Sequence, residues 1–330
     1  MEFKIKPLKN HQNISVIIPA YNGAKTIEKV LESIFSQEYD GNIEVIVVND
    51  HSTDNTLEVV KQYDVTVVNN EVNIGLAKSV NKGVKKAKYD IACIIHEDTV
   101  LIDSEWFKKL VPYLMEDDVA IVTSPVILPK DVYDNFGFWE KALFSWEVND
   151  TSDNSVTTLN YSDGKNDIFK KDVFLGFSGF DGDTYRVACE DVDLSKRFQK
   201  AGYKILSVPV PVYHMHSSHA TGLSTILLKK NPQLSEGQGV LFRKYRFRAL
   251  DINNQIFKTF AIIALFFPFN PIRILGALYI AVIIFGNVIR AFKVMKEPKV
   301  FILVPIVKFL DYFLDVIYFW KGFITGRQWK

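Results

Sequence analysis

Four short clusters in this chain place side chains that bind cations or move protons close together: Asn49-Asp50-His51, His96-Glu97-Asp98, Glu190-Asp191-Val192-Asp193 and Tyr213-His214-Met215-His216. Carboxylates offer hard oxygen ligands to divalent cations and take protons from hydroxyl groups, and imidazoles ligate metals. Acidic residues are expected in the first turn of any helix, because they complement its dipole. Three carboxylates within the four residues 190–193 exceed what a cap needs. Two histidines at i, i+2, with His219 just beyond, suit a metal if they face an acidic cleft. Taken singly, each cluster also reads as a plain turn or cap.

The elements between these clusters decide whether they meet. Ser15-Val16-Ile17-Ile18-Pro19 is a short apolar run closed by proline, as in a buried parallel strand. Ile27, Val30, Leu31, Ile34 and Phe35 then recur at helical spacing. Ile43 to Val48 is a second buried strand, and Ser52-Thr53 reads as the cap of a helix through about Gln62. A strand over Val65 to Val68, a helix over Gly75 to Ala87 and a strand over Ile91 to Ile95 follow. Strand and helix thus alternate four times within 100 residues, which predicts an α/β fold with a doubly wound, mostly parallel sheet. Ligands of such sheets bind at the carboxyl ends of the strands. The clusters at 49–51, at Asn73-Ile74-Gly75 and at 96–98 all fall at such ends, so one cleft is expected. The aromatic stretch Phe136, Phe138, Trp139, Phe144 and Trp146 suits sugar or lipid recognition, or a cover over the sheet.

Composition narrows the function. Lys plus Arg number 39 and Asp plus Glu 38 in 330 residues, a net charge of +1. That balance argues against a nucleic-acid partner held by bulk charge. A 48% apolar content excludes a mostly disordered chain. Two cysteines, Cys93 and Cys189, cannot make a disulfide framework, and a reducing compartment is expected. The average hides a split. Residues 1–237 carry 25 basic and 34 acidic side chains, a net of −9, whereas residues 238–330 carry 14 and 4, a net of +10. Residues 1–12 are polar and basic rather than a signal peptide, so the N-terminal part is expected in the cytoplasm.

The order of the motifs resembles family 2 glycosyltransferases of the GT-A fold. Ser-Val-Ile-Ile-Pro-Ala-Tyr-Asn (15–22), the Asp50 turn, Asn73-x-Gly75, the acidic triplet at 96–98, Gly-Phe-Asp (179–181), Glu-Asp-Val-Asp-Leu (190–194) and Tyr-His (213–214) carry the resemblance, over about residues 13–220. It implies an inverting transferase that takes a sugar from a nucleotide-sugar donor, with Mg²⁺ or Mn²⁺. By position, Pro19, Tyr21, Asn22, Asp50, Asn73, Gly75, Glu97 and Asp98 would contact the donor, with Pro19, Tyr21 and Asp50 at the base and ribose. Asp98 would meet metal and diphosphate, and His214 would be a further ligand. Asp191 would be the catalytic base, and Glu190 would orient the acceptor. Asp193, two residues on, points to another side of the helix and reads as structural. The chain departs from the pattern at Asn49-Asp50, where Asp-Asp is common, and at His96-Glu97-Asp98, where Asp-x-Asp is common.

The C-terminal third differs in kind. Arg243 to Arg248 is a basic aromatic cluster followed directly by apolar segments, as at a surface of anionic membrane lipids. Gln238 and Arg243 do not reproduce the Gln-x-x-Arg-Trp of the family's processive members, which implies transfer of a single sugar. Thr259 to Ile272 and Ile274 to Ile289 lack charge apart from Arg273 between them, and Pro268-Phe269-Asn270-Pro271 suggests a helical hairpin. Three lysines between Lys293 and Lys299 place the exit loop in the cytoplasm by the positive-inside rule. Val300 to Phe323 carries Lys308, Asp311 and Asp315 on one helix face, for the membrane interface or for a neighbouring helix.

The sequence thus predicts a GT-A-like catalytic domain over 1–237, a basic juxtamembrane linker over 238–255 and a hydrophobic helical membrane region over 256–330. The expected enzyme sits at the cell membrane with its catalytic domain on the cytoplasmic side. It would pass one sugar to a hydroxyl of a lipid-linked or cell-envelope glycan acceptor. A polyprenyl-phosphate glycosyl synthase and a non-catalytic membrane-bound sugar-binding protein are the alternatives.

Overall fold

A computed structural model describes residues 12–145, 155–216, 222–246 and 255–328. Trp146, His219, Phe247 and Arg248 lie outside the described residues. The chain divides into two compact units, 1–129 with 150–186 and 190–219, and 130–149 with 187–189 and 220–330.

The first unit is built on an eight-stranded sheet. Its strands are β1 (Ile14–Ala20), β2 (Ile43–Asn49), β3 (Thr66–Asn69), β4 (Ile91–Ile94), β6 (Val119–Thr123), β8 (Thr157–Thr158), β9 (Ile168–Lys170) and β10 (Lys204–Ser207), in the order β3-β2-β1-β4-β9-β6-β10-β8. β9 runs antiparallel to both β4 and β6, and β8 antiparallel to β10; the other pairings are parallel. A second sheet joins β5 (Thr99–Leu101), β11 (Val212–His214) and β7 (Val126–Ile127) in the order β5-β11-β7.

Continuous apolar strands need cover on both faces, and both are covered. On one face Val16, Ile18, Val45 and Val47 pack with Ile27, Val30, Leu31 and Ile34 of α1 (Ile27–Phe35). On the other, Ile17, Ile46 and Val48 pack with Val80 and Val84 of α3 (Leu76–Lys86) and with Phe169, Phe174 and Phe198.

The short helix α2 (Thr56–Val60) begins later than the Ser52-Thr53 cap predicts. Those side chains are used elsewhere. Ser52 Oγ accepts the Asn22 N–H at 3.0 Å, Thr56 Oγ1 accepts that of Gly23 at 2.9 Å, and Asp54 accepts that of Ala24 at 3.1 Å. Three buried or part-buried amides of the loop after β1 outweigh one helix cap.

In the second unit the expected hairpin is present, with shifted bounds. Helices Gln255–Leu265 and Asn270–Met295 are separated by residues 266–269. Pro271 lies inside the first turn of the second helix, where its missing N–H is no loss, so it starts the helix instead of breaking it. That helix runs 26 residues, past Arg290, because an isolated cation does not end a helix. It is the one helix among the described residues long and apolar enough to cross a membrane, with a mean hydropathy of 2.2.

Helix Val300–Thr325 turns its charged face to neighbours. Asp311 accepts from Asn231 at 2.7 Å and Asp315 from Ser235 at 2.7 Å, both on helix Asn231–Tyr245. These two helices meet through glycines. A Cβ on Gly322 would fall on the carbonyl oxygen of Glu236, and one on Gly239 on that of Phe319. Backbone cannot move aside as a side-chain tip can, so Gly322→Leu is expected to destabilise the helical unit by about 3 kcal/mol. Thermal unfolding in detergent measures this. Gly286→Ala, where an added Cβ meets nothing within 4 Å, should leave the transition in place.

Candidate functional site

The site lies at the carboxyl edge of the large sheet, within the first unit. β1 ends at Pro19-Ala20 and delivers Tyr21 and Asn22 to a loop pinned by Thr53, whose N–H donates to Asn22 Oδ1 at 2.7 Å. Tyr21 is exposed. The main chain of Tyr21 donates to the Glu97 carboxylate, joining the β1 end to the segment after β4.

Asp50 follows β2 and is buried. Its Oδ1 accepts from Asn70 Nδ2 at 2.9 Å and from the Ile74 N–H at 2.8 Å, and its Oδ2 accepts from the Gly75 N–H at 2.9 Å. Asn73 Nδ2 donates to the Asp50 carbonyl at 3.3 Å. The carboxylate therefore shapes loop 70–75. Gly75, at φ +89°, carries no Cβ where the Arg186 carbonyl approaches. Replacing Asp50 with Ala would leave several donors unmet, two of them main-chain N–H groups, at about 1–3 kcal/mol each when buried. We expect a Tm loss of several degrees by calorimetry, with donor affinity falling alongside.

Asp98 and His214 are brought together by β5 and β11, which pair antiparallel with Thr99 opposite His214. His214 Nε2 lies 3.3 Å from Asp98 Oδ2, and both side chains are largely shielded from solvent. The His214 and His216 ring centroids are 4.0 Å apart. Glu97 is pushed up to about 8 by burial, then by the neighbouring Asp98 charge. Burial lowers His96 to about 4, so it is neutral at physiological pH.

Glu190 and Asp191 open helix Glu190–Lys200. Burial raises Asp191 to about 6; the Val192 N–H, at 2.7 Å from its Oδ1, and Lys165 pull it back down, while Asp163 raises it. Glu190 is raised to about 8 by burial and by the Asp191 charge, and its Oε2 has no hydrogen-bond partner among the described residues. Asp193 is fully buried and pairs with Arg197 at 2.8 Å, the structural role expected of it. Arg197 in turn donates to the carbonyls of Phe177 and Gly179, fixing the Gly-Phe-Asp turn.

Sequence reasoning missed the piece that joins these groups. Residues 162–167 form a loop leading into β9, and because β9 is inserted antiparallel beside β4, the loop lands at the carboxyl edge. The His96 N–H donates to the Lys165 carbonyl at 3.1 Å. Charges on Asp98, Lys165, Asp163 and His214 all act on His96, and those of Asp163 and Lys165 also act on Asp191. Gly164, at φ +71°, lets the loop lie on Asp191, since a Cβ there would come within 3.2 Å of the Asp191 Cβ. The loop is held from beneath. Ser162 Oγ donates to Asp167, and Asn166 Nδ2 donates to the Ser124 carbonyl at 3.1 Å. The one local signal was Gly164 between Asp163 and Lys165, which reads equally as a turn.

Hydrogen bonds and charges thus link Tyr21, Glu97, Asp98 and His214 with Asp163, Lys165, Glu190 and Asp191 by way of His96, while Asp50, Asn73 and Gly75 shape the loop after β3. Residues 15–158 match the glycosyl transferase family 2 model. Over that segment the chain is similar to a family 2 glycosyltransferase domain. Over 110 residues it is 36% identical to a poly-beta-1,6-N-acetyl-D-glucosamine synthase of Staphylococcus epidermidis, covering 32% of this chain and 25% of that protein. Over 210 residues it is 25% identical to the synthase of the same name from Staphylococcus aureus (strain COL), covering 62% and 50%. The chain spans a quarter to a half of the length of these curated relatives. Among solved structures it is similar to the mannosyltransferase PcManGT of Pyrobaculum calidifontis in complex with GDP-Man and Mn²⁺, with a TM-score of 0.60 at 18% identity over 96% of this chain and 90% of that one. It is also similar to S. aureus TarS 1–349 in complex with UDP-GlcNAc, with a TM-score of 0.52 at 16% identity over 96% and 93%. At such identities the likeness establishes the fold, which is GT-A.

Among the described residues no three His, Cys, Asp or Glu side chains gather closely enough to hold a metal unaided. Asp98 and His214 nonetheless fit a cation shared with the donor. Mg²⁺ is commonly held by one or two carboxylates, with substrate phosphates completing its octahedron.

Proposed function

We propose that the chain is an inverting glycosyltransferase that moves a single sugar from a nucleotide sugar to a hydroxyl of a lipid-linked or cell-envelope glycan. The observation that carries this reading is loop 162–167, whose Asp163 and Lys165 act both on Asp191 and on His96, the residue that Asp98 and His214 also act on. Donor diphosphate and acceptor hydroxyl would meet across that loop. Asp191 takes the hydroxyl proton as the acceptor oxygen attacks the anomeric carbon, and the bond from that carbon to the diphosphate oxygen breaks. Attack from the face opposite the leaving group inverts the centre. Asp98 and His214 would hold Mg²⁺ or Mn²⁺, which offsets charge gathering on the departing diphosphate. Lys165, which acts on both His96 and Asp191, is suited to the same charge.

Single-sugar transfer is supported by the spacing of Gln238 and Arg243, which lacks the pattern of processive enzymes. Membrane placement is supported by helix Asn270–Met295, of which only 17% of the most apolar window is buried. Water would not tolerate such a face without a partner. Lys293, Lys296 and Lys299 favour a cytoplasmic exit loop after this helix.

The test is a donor screen. Membranes holding the full chain are incubated with a panel of nucleotide sugars, and nucleoside diphosphate release and product length are measured. Release with one donor and addition of one sugar per acceptor is expected. Chains of several sugars would overturn the single-transfer reading, and release with no donor would overturn the transferase reading of this site.

A further inference from the structure

Helices Gln255–Leu265, Asn270–Met295 and Val300–Thr325 border a half-open cavity of about 440 Å³, with Arg290 at its exposed side, whose lining is unlike the rest of the helical unit. Around it stand Lys258, Arg290, Lys308, Asp311, Asp315 and Asn287, with Val282, Ile283 and Ile284 on the apolar side. Charged groups in an apolar helical bundle are costly unless paired, and those retained mark a function.

The pairing is incomplete in one direction. All four carboxylate oxygens are satisfied: Asp315 by Ser235 at 2.7 Å and Lys258 at 2.6 Å, Asp311 by Asn231 at 2.7 Å and Lys308 at 3.0 Å. Three cations face two carboxylates, so one positive charge is left over. The surplus falls on Arg290, whose guanidinium makes no ion pair or hydrogen bond among the described residues. What the cavity offers is therefore a fork of N–H donors with spare lysine donors beside it. Such a set recognises a phosphate, often in bidentate fashion.

The surroundings indicate which phosphate. Arg290 lies five residues, about 7.5 Å, from the end of its helix at Met295. Lys293, Lys296 and Lys299 follow, so Arg290 is level with lipid headgroups if the helix spans as proposed above. Leu278, Val282 and Phe285 of the same helix are exposed, which suits contact with acyl chains. The volume exceeds that of a bare phosphate and accommodates a glycerophosphate headgroup.

We propose that this cavity binds the phosphate of an anionic membrane lipid, with Arg290 as its principal ligand. The inference rests on the membrane placement of helix Asn270–Met295 and not on the transferase chemistry.

The full chain, purified in detergent, would be mixed with phosphatidylglycerol or phosphatidylcholine and the retained lipid counted by native mass spectrometry. Retention of phosphatidylglycerol in preference to phosphatidylcholine is expected. Arg290→Gln should lower that retention roughly tenfold, the loss of one charge-assisted contact. Gly286→Phe should also lower it, because Gly286 lines the cavity and has open space at its Cβ position. Donor-dependent nucleoside diphosphate release by both variants reports that the chain is folded. Equal retention of the two lipids, or full retention by both variants, would overturn the proposal. So would tight binding of inorganic phosphate with no lipid preference, which would mark a free-phosphate site. Failure of the membrane placement is separately visible, as a chain that leaves the membrane fraction without detergent.

Discussion

Asp191→Asn is expected to reduce turnover by about 10²–10⁴-fold while nucleoside diphosphate still binds. Asn keeps the shape of the side chain and can still hydrogen-bond to its surroundings, but it cannot take a proton. The pH profile provides a sharper check. Burial is the main cause that raises Asp191 to about 6, and burial with the Asp191 charge raises Glu190 to about 8. Near neutral pH the pair therefore keeps one proton, held on Glu190, and Asp191 carries the charge. A base works only when ionised, so the rate should climb as pH rises through about 6 and level off above it. Glu190→Gln mimics the protonated neighbour and should leave that limb in place. Initial rates of nucleoside diphosphate release from about pH 5 to 9 test both variants. A polyprenyl-phosphate acceptor is already anionic and needs no base. Substantial turnover by Asp191→Asn, with no limb near 6 in the parent, would therefore shift the reading to that acceptor.

Why Asp191 could be singled out from the sequence, and Lys165 could not, has a physical basis. β1, β2 and β4 are mostly apolar runs of four to seven residues whose burial on both faces is written in their composition, so the strand ends were legible along with Asp50 and Asp98. The acidic start of helix Glu190–Lys200 stood out because it exceeds the needs of a helix dipole. Loop 162–167 acquires its place only from β9, a three-residue strand inserted antiparallel between β4 and β6. Nothing local in Ile168-Phe169-Lys170 specifies that insertion. The Ser52-Thr53 cap failed for a related reason. Ser52 and Thr53 are intrinsically good caps, but the Ser52 hydroxyl accepts the Asn22 N–H, and Thr53 donates both its N–H and its hydroxyl to Asn22 Oδ1. In the helical unit, hydropathy identified the helices, while the partners of Asp311 and Asp315 on helix Asn231–Tyr245 were set by packing between segments some 80 residues apart.

Asp98→Asn carries the second large effect. The substitution keeps the main-chain bond from Met215 N–H to the Asp98 carbonyl, at 2.8 Å, and the β5–β11 pairing that positions His214. It removes only the charge that a divalent cation requires. Metal-ion stabilisation of a departing diphosphate amounts to several kcal/mol, so kcat/KM should fall by about 10²–10³-fold. His214→Ala should fall less, because a neutral imidazole contributes a ligand without a charge. Titrating nucleoside diphosphate with Mn²⁺ present and absent separates metal binding from turnover. In the parent, Mn²⁺ should tighten binding; in Asp98→Asn the two titrations should coincide while the thermal transition stays where it was. Metal-stimulated turnover in Asp98→Asn equal to that of the parent would show that the cation is held elsewhere or not needed. Tight binding by the parent with no turnover on any donor and acceptor would favour a sugar-binding protein over a transferase, in spite of the ionisable pair Glu190-Asp191 poised beside the cleft.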